Sequence, residues 1–267
     1  MSKITLQNTL EELFNKNQTI PRIAREFKND KTIQAMIAKS GLDEKFCLDL
    51  LVQMALHRRC NLPTLVGLLR KHFNDGQQTA DAIHKAAVAD LVDYNSQLRV
   101  FITIGTVPQE VQNDIDKYQF PLPMVVEPMK VTCNSETGYM VHRHGSVILK
   151  DNHHDDDVCL DHLNRVNKIK LCINERVAFL VRNEWRNLDK PKADESLQDY
   201  RRRVKAFEKF DRSSKEVIDL IISEGNEFYL THAYDKRGRV YPRGYQINYA
   251  GNPWNKSCVE FANKELI

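Results

Sequence analysis

Apolar residues recur at three- and four-residue steps early in the chain, at Leu6, Leu10, Leu13 and Phe14 and again at Phe46, Cys47, Leu50, Leu51 and Met54. That is helical spacing, and Asp43 stands where the second run needs an N-cap. A third helix is predicted from near Thr79 through Ile83, Val88 and Leu91. The segment Leu98 to Ile104 is short and β-branched, and fits either a strand or the end of a helix. The longest periodic stretch comes later: Leu163, Val166, Ile169, Ile173, Val177 and Leu180 fall on one face of a single long helix. A basic helix is predicted from about Leu197 to Phe210. Another begins at Ser213 or Ser214 and runs through Val217, Leu220 and Ile221.

Between these helices the pattern changes. Pro121, Pro123 and Pro128 bracket a few apolar residues, Leu122 and Met124 to Val126, which predicts an extended, buried connector. Gly138 to Val141 and Ser146 to Leu149 suit the two arms of a short hairpin, with a polar loop from Lys150 to Asp157 after it. From Phe228 onward, aromatic and glycine-rich segments favour extended structure and turns. The fold class is therefore mainly α with short antiparallel β segments. The chain divides into residues 1–119 (helical), 120–181 (connector, hairpin, long helix), 182–224 (basic) and 225–267 (extended).

With 267 residues, there is room for one large domain or two modest ones. No apolar run approaches the ~20 residues of a membrane span. The opening Met-Ser-Lys-Ile-Thr lacks the basic head and apolar stretch of a secretory signal. Six cysteines are scattered without a Cys-x-x-Cys pair, which predicts reduced thiols in a cytosolic compartment. The net charge is only +3, but its distribution is uneven. Arg201 to Lys215 carries a local +5 and Asp235 to Gly244 a local +3. Such concentration suits a phosphate-tracking surface, while a solvated basic helix face would produce the same run.

His153-His154-Asp155-Asp156-Asp157 contains competent metal ligands, but adjacent loop residues rarely converge on one ion. An exposed polar loop is the expectation. His142 and His144, flanking Arg143, are expected at the surface. No glycine-rich phosphate cradle, nucleophile elbow or helical zinc signature occurs. Asp235-Lys236-Arg237-Gly238-Arg239-Val240-Tyr241 is more informative. Two guanidinium forks flank a glycine whose backbone can approach another molecule closely. In an extended segment, Arg237, Arg239 and Tyr241 share one face. Phosphate and sugar contact, or an exposed basic edge strand, both satisfy that pattern.

This segment is similar to the Asp/Thr-x-x-Gly-Arg element of the single-subunit RNA polymerases of T-odd phages and mitochondria. The likeness continues through Val240-Tyr241, Asn252-Pro253 and Lys264-Glu265-Leu266-Ile267. Pro123-Met124-Val125-Val126 with Pro128 resembles the family's Pro-Met-Val-Val-Pro segment, followed by counterparts at Thr132 and Gly138-Tyr139. Leu163-Asn164, Asn167, Leu171 and Ile173-Asn174 resemble its Leu-Asn-x-x-Gln-x-x-x-Trp-x-Ile-Asn element. Asn167 replaces the usual glutamine there, and Leu171 the usual tryptophan. The resemblance covers roughly residues 120–267.

The resemblance implies an N-terminal domain at 1–119, a reduced basic thumb at 182–224 and the start of the palm at 225–267. It implies contact with template DNA and the RNA–DNA hybrid through Arg239, Arg237 and Tyr241, with Lys236 beside them. Arg201, Arg202, Arg203 and Lys205 would form the thumb's basic side. The family's two metal-binding aspartates, its fingers lysine and its Tyr-Gly would lie beyond this sequence. His154-Asp155 mimics the family's His-Asp turn, but lies on the wrong side of the Arg-Gly-Arg element. No catalytic residue and no bound cofactor are therefore expected on this chain, with Mg2+ at a partner-borne active site. The chain resembles the small subunit of the heterodimeric schitovirus-type polymerases. The implied partner is a large subunit carrying palm and fingers, and the implied location is the cytoplasm of an infected bacterium. Two alternatives are an N-terminal piece of a full-length polymerase and a non-enzymatic nucleic-acid-binding protein.

Overall fold

The computed structural model describes residues 2–14, 19–149, 154, 156 and 158–264. About half of the chain is helical, and the strand pairs are short and antiparallel. The helices are α1 (Lys3–Phe14), α2 (Thr19–Asn29), α3 (Lys31–Ser40), α4 (Glu44–His57), α5 (Leu62–Leu69), α6 (Gly76–Val88), α7 (Gln109–Tyr118), α8 (Leu160–Asn167), α9 (Glu175–Leu180), α10 (Leu197–Ser223) and α11 (Pro253–Cys258). The strands are β1 (Arg59–Cys60), β2 (Val92–Asn95), β3 (Val100–Thr103), β4 (Leu171–Ile173), β5 (His232–Tyr234), β6 (Val240–Pro242) and β7 (Val259–Phe261). Among the described residues, no helix is long and apolar enough to cross a membrane.

Two compact units emerge: Asn17–Ile115, and Met1–Lys16 with Asp116–Ile267. In the first, α4 is buried on nearly every side, from Phe46 and Cys47 to Ala55 and Leu56. A helix that is apolar all round belongs at a core's centre. Asp43 caps it, accepting from the Phe46 N–H at 2.8 Å. Asp30, Asn61 and Asp75 cap α3, α5 and α6 in the same way. The α6 helix starts at Gly76 and stops at Val88, so Leu91 packs beyond its end and not within it. The ambiguous 98–104 segment contains β3, the central strand of the order β1-β3-β2.

The second unit buries Leu10, Leu122, Met124, Leu171, Val217, Ile221, Phe228 and Trp254 in one cluster. The 120–128 connector is buried at Leu122, Met124 and Val125, and Met124 bridges to Tyr229. Two polar residues on α1 are fully buried, Gln7 and Glu11. Gln7 donates to Glu11 at 2.8 Å and accepts from the Val125 N–H at 2.9 Å. The Glu11 carboxylate accepts from the N–H groups of Met140, Val141 and His142 at 2.9, 2.6 and 3.1 Å. These bonds replace the predicted hairpin. The 140–142 amides turn to Glu11, while the Val147 and Leu149 N–H groups donate to the Asn134 and Tyr234 C=O groups and the Tyr234 N–H donates to the Val147 C=O.

The single long helix from Leu163 to Leu180 is not formed. It ends at Asn167, and Leu171–Ile173 becomes β4, paired with β7. Asn226 fixes the break with two bonds, one accepting from the Ile173 N–H and one donating to its C=O. Asn174 then caps α9 through the Val177 N–H. Leu180, placed by periodicity on the buried face, is 82% exposed. Conversely, the two predicted helices between Leu197 and Ile221 are one helix of 27 residues. Ser213 and Ser214 do not interrupt it because their hydroxyls donate to the C=O groups of Phe210 and Gln246.

Candidate nucleic-acid interface

The Arg-Gly-Arg segment is the tip of a β-hairpin. The β5 and β6 strands pair His232 with Pro242, Ala233 with Tyr241 and Tyr234 with Val240. At the tip, the Asp235 N–H donates to the Arg239 C=O at 2.8 Å and the Gly238 N–H to the Asp235 C=O at 3.0 Å. Gly238 has φ +75°, which a glycine adopts without the strain of a Cβ.

Arg237, Arg239 and Tyr241 therefore do not line one face of a strand. A turn gathers them instead. Oδ1 of Asp235 accepts from the backbone N–H groups of Arg237 and Arg239 at 2.9 and 3.0 Å. Oδ2 accepts from Nε and Nη2 of Arg239 at 2.8 and 2.7 Å, and lies 3.4 Å from Nε of Arg237. The Arg239 guanidinium also lies over the Tyr241 ring, 5.3 Å from its centroid. Burial pushes the Asp235 carboxyl up, but the backbone and guanidinium bonds from Arg239 outweigh it, so its pKa is lowered. The carboxylate is charged when the arginine needs it. An arginine has five N–H donors, and this arrangement occupies only one edge. Lys236, Arg237 and Arg239 are exposed, so the tip presents net positive charge to solvent.

At the root of the hairpin, His232 is buried and bridges two elements. Its Nδ1 lies 2.8 Å from Oδ1 of Asn167, and its Nε2 lies 2.7 Å from the Tyr249 hydroxyl. An amide oxygen only accepts, so Nδ1 carries the proton and Nε2 accepts from Tyr249. Burial, with His162 nearby, pushes the His232 pKa down to about 4. Tyr234 anchors the same hairpin by donating to the Cys159 C=O at 2.8 Å. Sequence reasoning passed over Asn167 and His232 as a pair, since 65 residues separate them.

The basic stretch on α10 is mostly engaged within the chain. Arg203 donates to both Glu195 oxygens at 2.8 and 2.6 Å, and to the C=O groups of Asn187 and Lys190. That guanidinium clasps the 187–195 segment to the helix. Its bonds also pull the Glu195 carboxyl down to about 2. Arg202 pairs with Asp199, Lys215 with Asp211, and Lys209 and Arg212 both with Asp116. Arg201 and Lys205 are exposed one helical turn apart and make no ion pair among the described residues.

Of the His-Asp cluster, His153, Asp155 and Asp157 lie outside the described residues. The His154 and Asp156 C=O groups both accept from the Asn134 side chain. His142 is half-buried with Nε2 at 2.7 Å from the Glu11 C=O, while His144 is exposed. Among the described residues, no group of three or more His, Cys, Asp or Glu side chains is placed to hold a metal ion.

The chain is 27% identical over 197 residues to a probable DNA-directed RNA polymerase of Agaricus bitorquis. The match takes in 65% of this chain and 18% of that protein. The likeness supports a general relationship to the DNA-directed RNA polymerases. This chain thus spans less than a fifth of the relative's length. No protein-family profile matches it.

Proposed function

We propose that this chain is the small subunit of a split, phage-type DNA-directed RNA polymerase, holding template DNA and the RNA–DNA hybrid beside a catalytic centre borne by a partner. The observation that carries this reading is the Asp235-braced Arg239 at an exposed glycine turn, in a chain similar to a polymerase. With Nε and Nη2 turned to Asp235, Nη1 and the outer N–H of Nη2 remain to bind a phosphate. Arg237 and Lys236 add charge around the same point, and the Arg239 guanidinium lies over the Tyr241 ring. Arg201 and Lys205 on α10 supply a further, weaker phosphate contact. In this reading the two metal-binding aspartates and their Mg2+ belong to the large subunit, and this chain takes no part in the bond-making step.

The test has two arms. The isolated chain should bind an RNA–DNA hybrid in a salt-dependent manner, yet incorporate no nucleotide on a single-stranded template with magnesium. Addition of the partner purified with it should restore incorporation. Incorporation by this chain alone would overturn the split-enzyme reading, and an intact gene product several times longer would make it a fragment instead.

A further inference from the structure

Among the described residues, the β7 strand is paired along one edge only. Across the β4–β7 pair, the Asn174 N–H donates to the Cys258 C=O at 2.8 Å and the Ala262 N–H to the Lys170 C=O at 3.0 Å. Bonded positions alternate along an antiparallel ladder, so Glu260 faces β4 and the peptide groups of Val259 and Phe261 face away. The outer side of β4 is closed, because Phe228 and Leu171 exchange both backbone bonds at 2.8 and 2.9 Å. Nothing comparable closes β7: among the described residues no strand or bridge pairs with its outer side. Among the described residues, the Phe261 C=O is reached by one long thiol contact, from Cys172 of β4 at 3.6 Å. A two-stranded sheet is marginal by itself, and an unpaired edge is a template for another strand.

Beside this edge lies a cavity of about 340 Å³ walled by Val166, Ile169, Leu171 and Val259, with His232 and Tyr249. It adjoins a groove of about 950 Å³, and Ile169 and Phe261 line both. Those two side chains are 38% and 63% exposed. The lysines around the groove decide what kind of occupant suits it. Lys168, Lys170 and Lys264 are each offset by a carboxylate of this chain, Glu127, Glu227 and Glu260, at 3.7, 3.1 and 3.0 Å. A rim already neutralised offers little to a phosphate backbone, whereas an apolar cavity beside a free strand edge suits a peptide.

We propose that the outer edge of β7 accepts a strand of the large polymerase chain, an extended segment with apolar residues at alternate positions. Its backbone pairs with Val259 and Phe261, and its inward side chains fill the cavity beside Ile169. The identity of the partner rests on the proposed function, since more than four fifths of the related fungal polymerase lies outside the matched share. The edge and cavity do not depend on that reading.

The experiment places a benzoylphenylalanine photo-crosslinker at Phe261 in the full chain, within the polymerase purified from its native source. The expected product is a crosslink to an extended, alternately apolar segment of the large chain. Phe261→Asp should lower recovery of the large chain by about tenfold or more, with the far-UV circular dichroism unchanged. A crosslink within this chain, to a second copy or to nucleic acid overturns the proposal, as does normal assembly of Phe261→Asp. Hybrid binding by the isolated chain, measured alongside, separates the two readings. If binding persists while the β7 edge makes no strand contact, this surface is wrong and the function stands. If a strand crosslinks but belongs to a chain without polymerase aspartates, the edge stands and the partner is wrong.

Discussion

One oxygen of Asp235 receives both Nε and Nη2 of Arg239, at 2.8 and 2.7 Å, while the other receives the backbone N–H of the same arginine at 3.0 Å. The carboxylate thus fixes the turn and aims the guanidinium at once. Asp235→Asn separates these effects. The amide oxygen can still accept the backbone N–H groups, but the charged grip on the side chain is gone. Removing a negative charge also strengthens the tip's general attraction for nucleic acid. The expected outcome is undiminished non-specific binding with shortened transcripts, read by comparing duplex affinity with run length in the assembled enzyme. A parallel fall in both would assign Asp235 to the fold alone.

Arg203 and Arg201 should behave oppositely, although two positions separate them. Arg203→Ala releases the 187–195 segment from α10, and limited proteolysis should cut there faster than in the wild type. Arg201→Ala and Lys205→Ala should leave that cleavage rate unchanged. Each should instead reduce the salt slope of hybrid binding by about 0.7 to 0.9 for every phosphate left without its cation. An unaltered slope in the Arg201→Ala, Lys205→Ala double variant would reduce this face of α10 to a solvated surface.

Glu11 is a structural centre of the second unit. Its buried carboxylate satisfies three backbone N–H groups of the 140–142 segment. Glu11→Ala should destabilise the chain by about 1–3 kcal/mol, since it removes three backbone hydrogen bonds to a buried carboxylate. Urea unfolding followed by tryptophan fluorescence measures this, and Glu11→Gln should recover part of the stability.

His232 predicts an acid-sensitive fold. Its folded pKa of about 4 lies below the ~6.5 of an unfolded histidine. Between these values the unfolded chain binds a proton that the folded one refuses. Stability is therefore full above about pH 6.5 and falls toward pH 4, with a slope of up to ~1.4 kcal/mol per pH unit from this group. His232→Gln should flatten that portion of a urea-midpoint-versus-pH curve. An equally steep curve in the variant would place the acid sensitivity elsewhere.

The legible parts of this fold were those written in local sequence. The Asp43 cap and the apolar run behind it specify α4 without help from elsewhere, and the basic α10 declares itself by spacing. What failed were positions decided by distant partners. Leu171 to Ile173 fits a helical stripe, and only Phe228, Asn226 and β7 turn it into a strand. Gln7 and Glu11 resemble the polar face of an amphipathic helix until the 140–142 amides are laid against them. Ser213 and Ser214 look like a break because their acceptors, Phe210 and Gln246, are invisible in a pattern. The Arg-Gly-Arg segment stood out by composition, but the alternation of an extended strand was the wrong geometry for it. Gly238 adopts a positive φ and Asp235 collects the arginines around itself. Counting charge likewise overstated the basic stretch, since five of its seven cations are held by carboxylates of the chain.

The most direct test of the central claim is transcript length from the assembled polymerase carrying Arg239→Lys, with assembly checked by size-exclusion chromatography. Lysine keeps the charge but cannot be held by Asp235 on one edge while gripping a phosphate with the other. A charge-assisted bond contributes roughly 1.5–3 kcal/mol, so full-length product should fall about ten- to a hundredfold. Normal assembly, abundant short transcripts and early release are the predicted result. Full-length transcripts at wild-type yield would contradict the account.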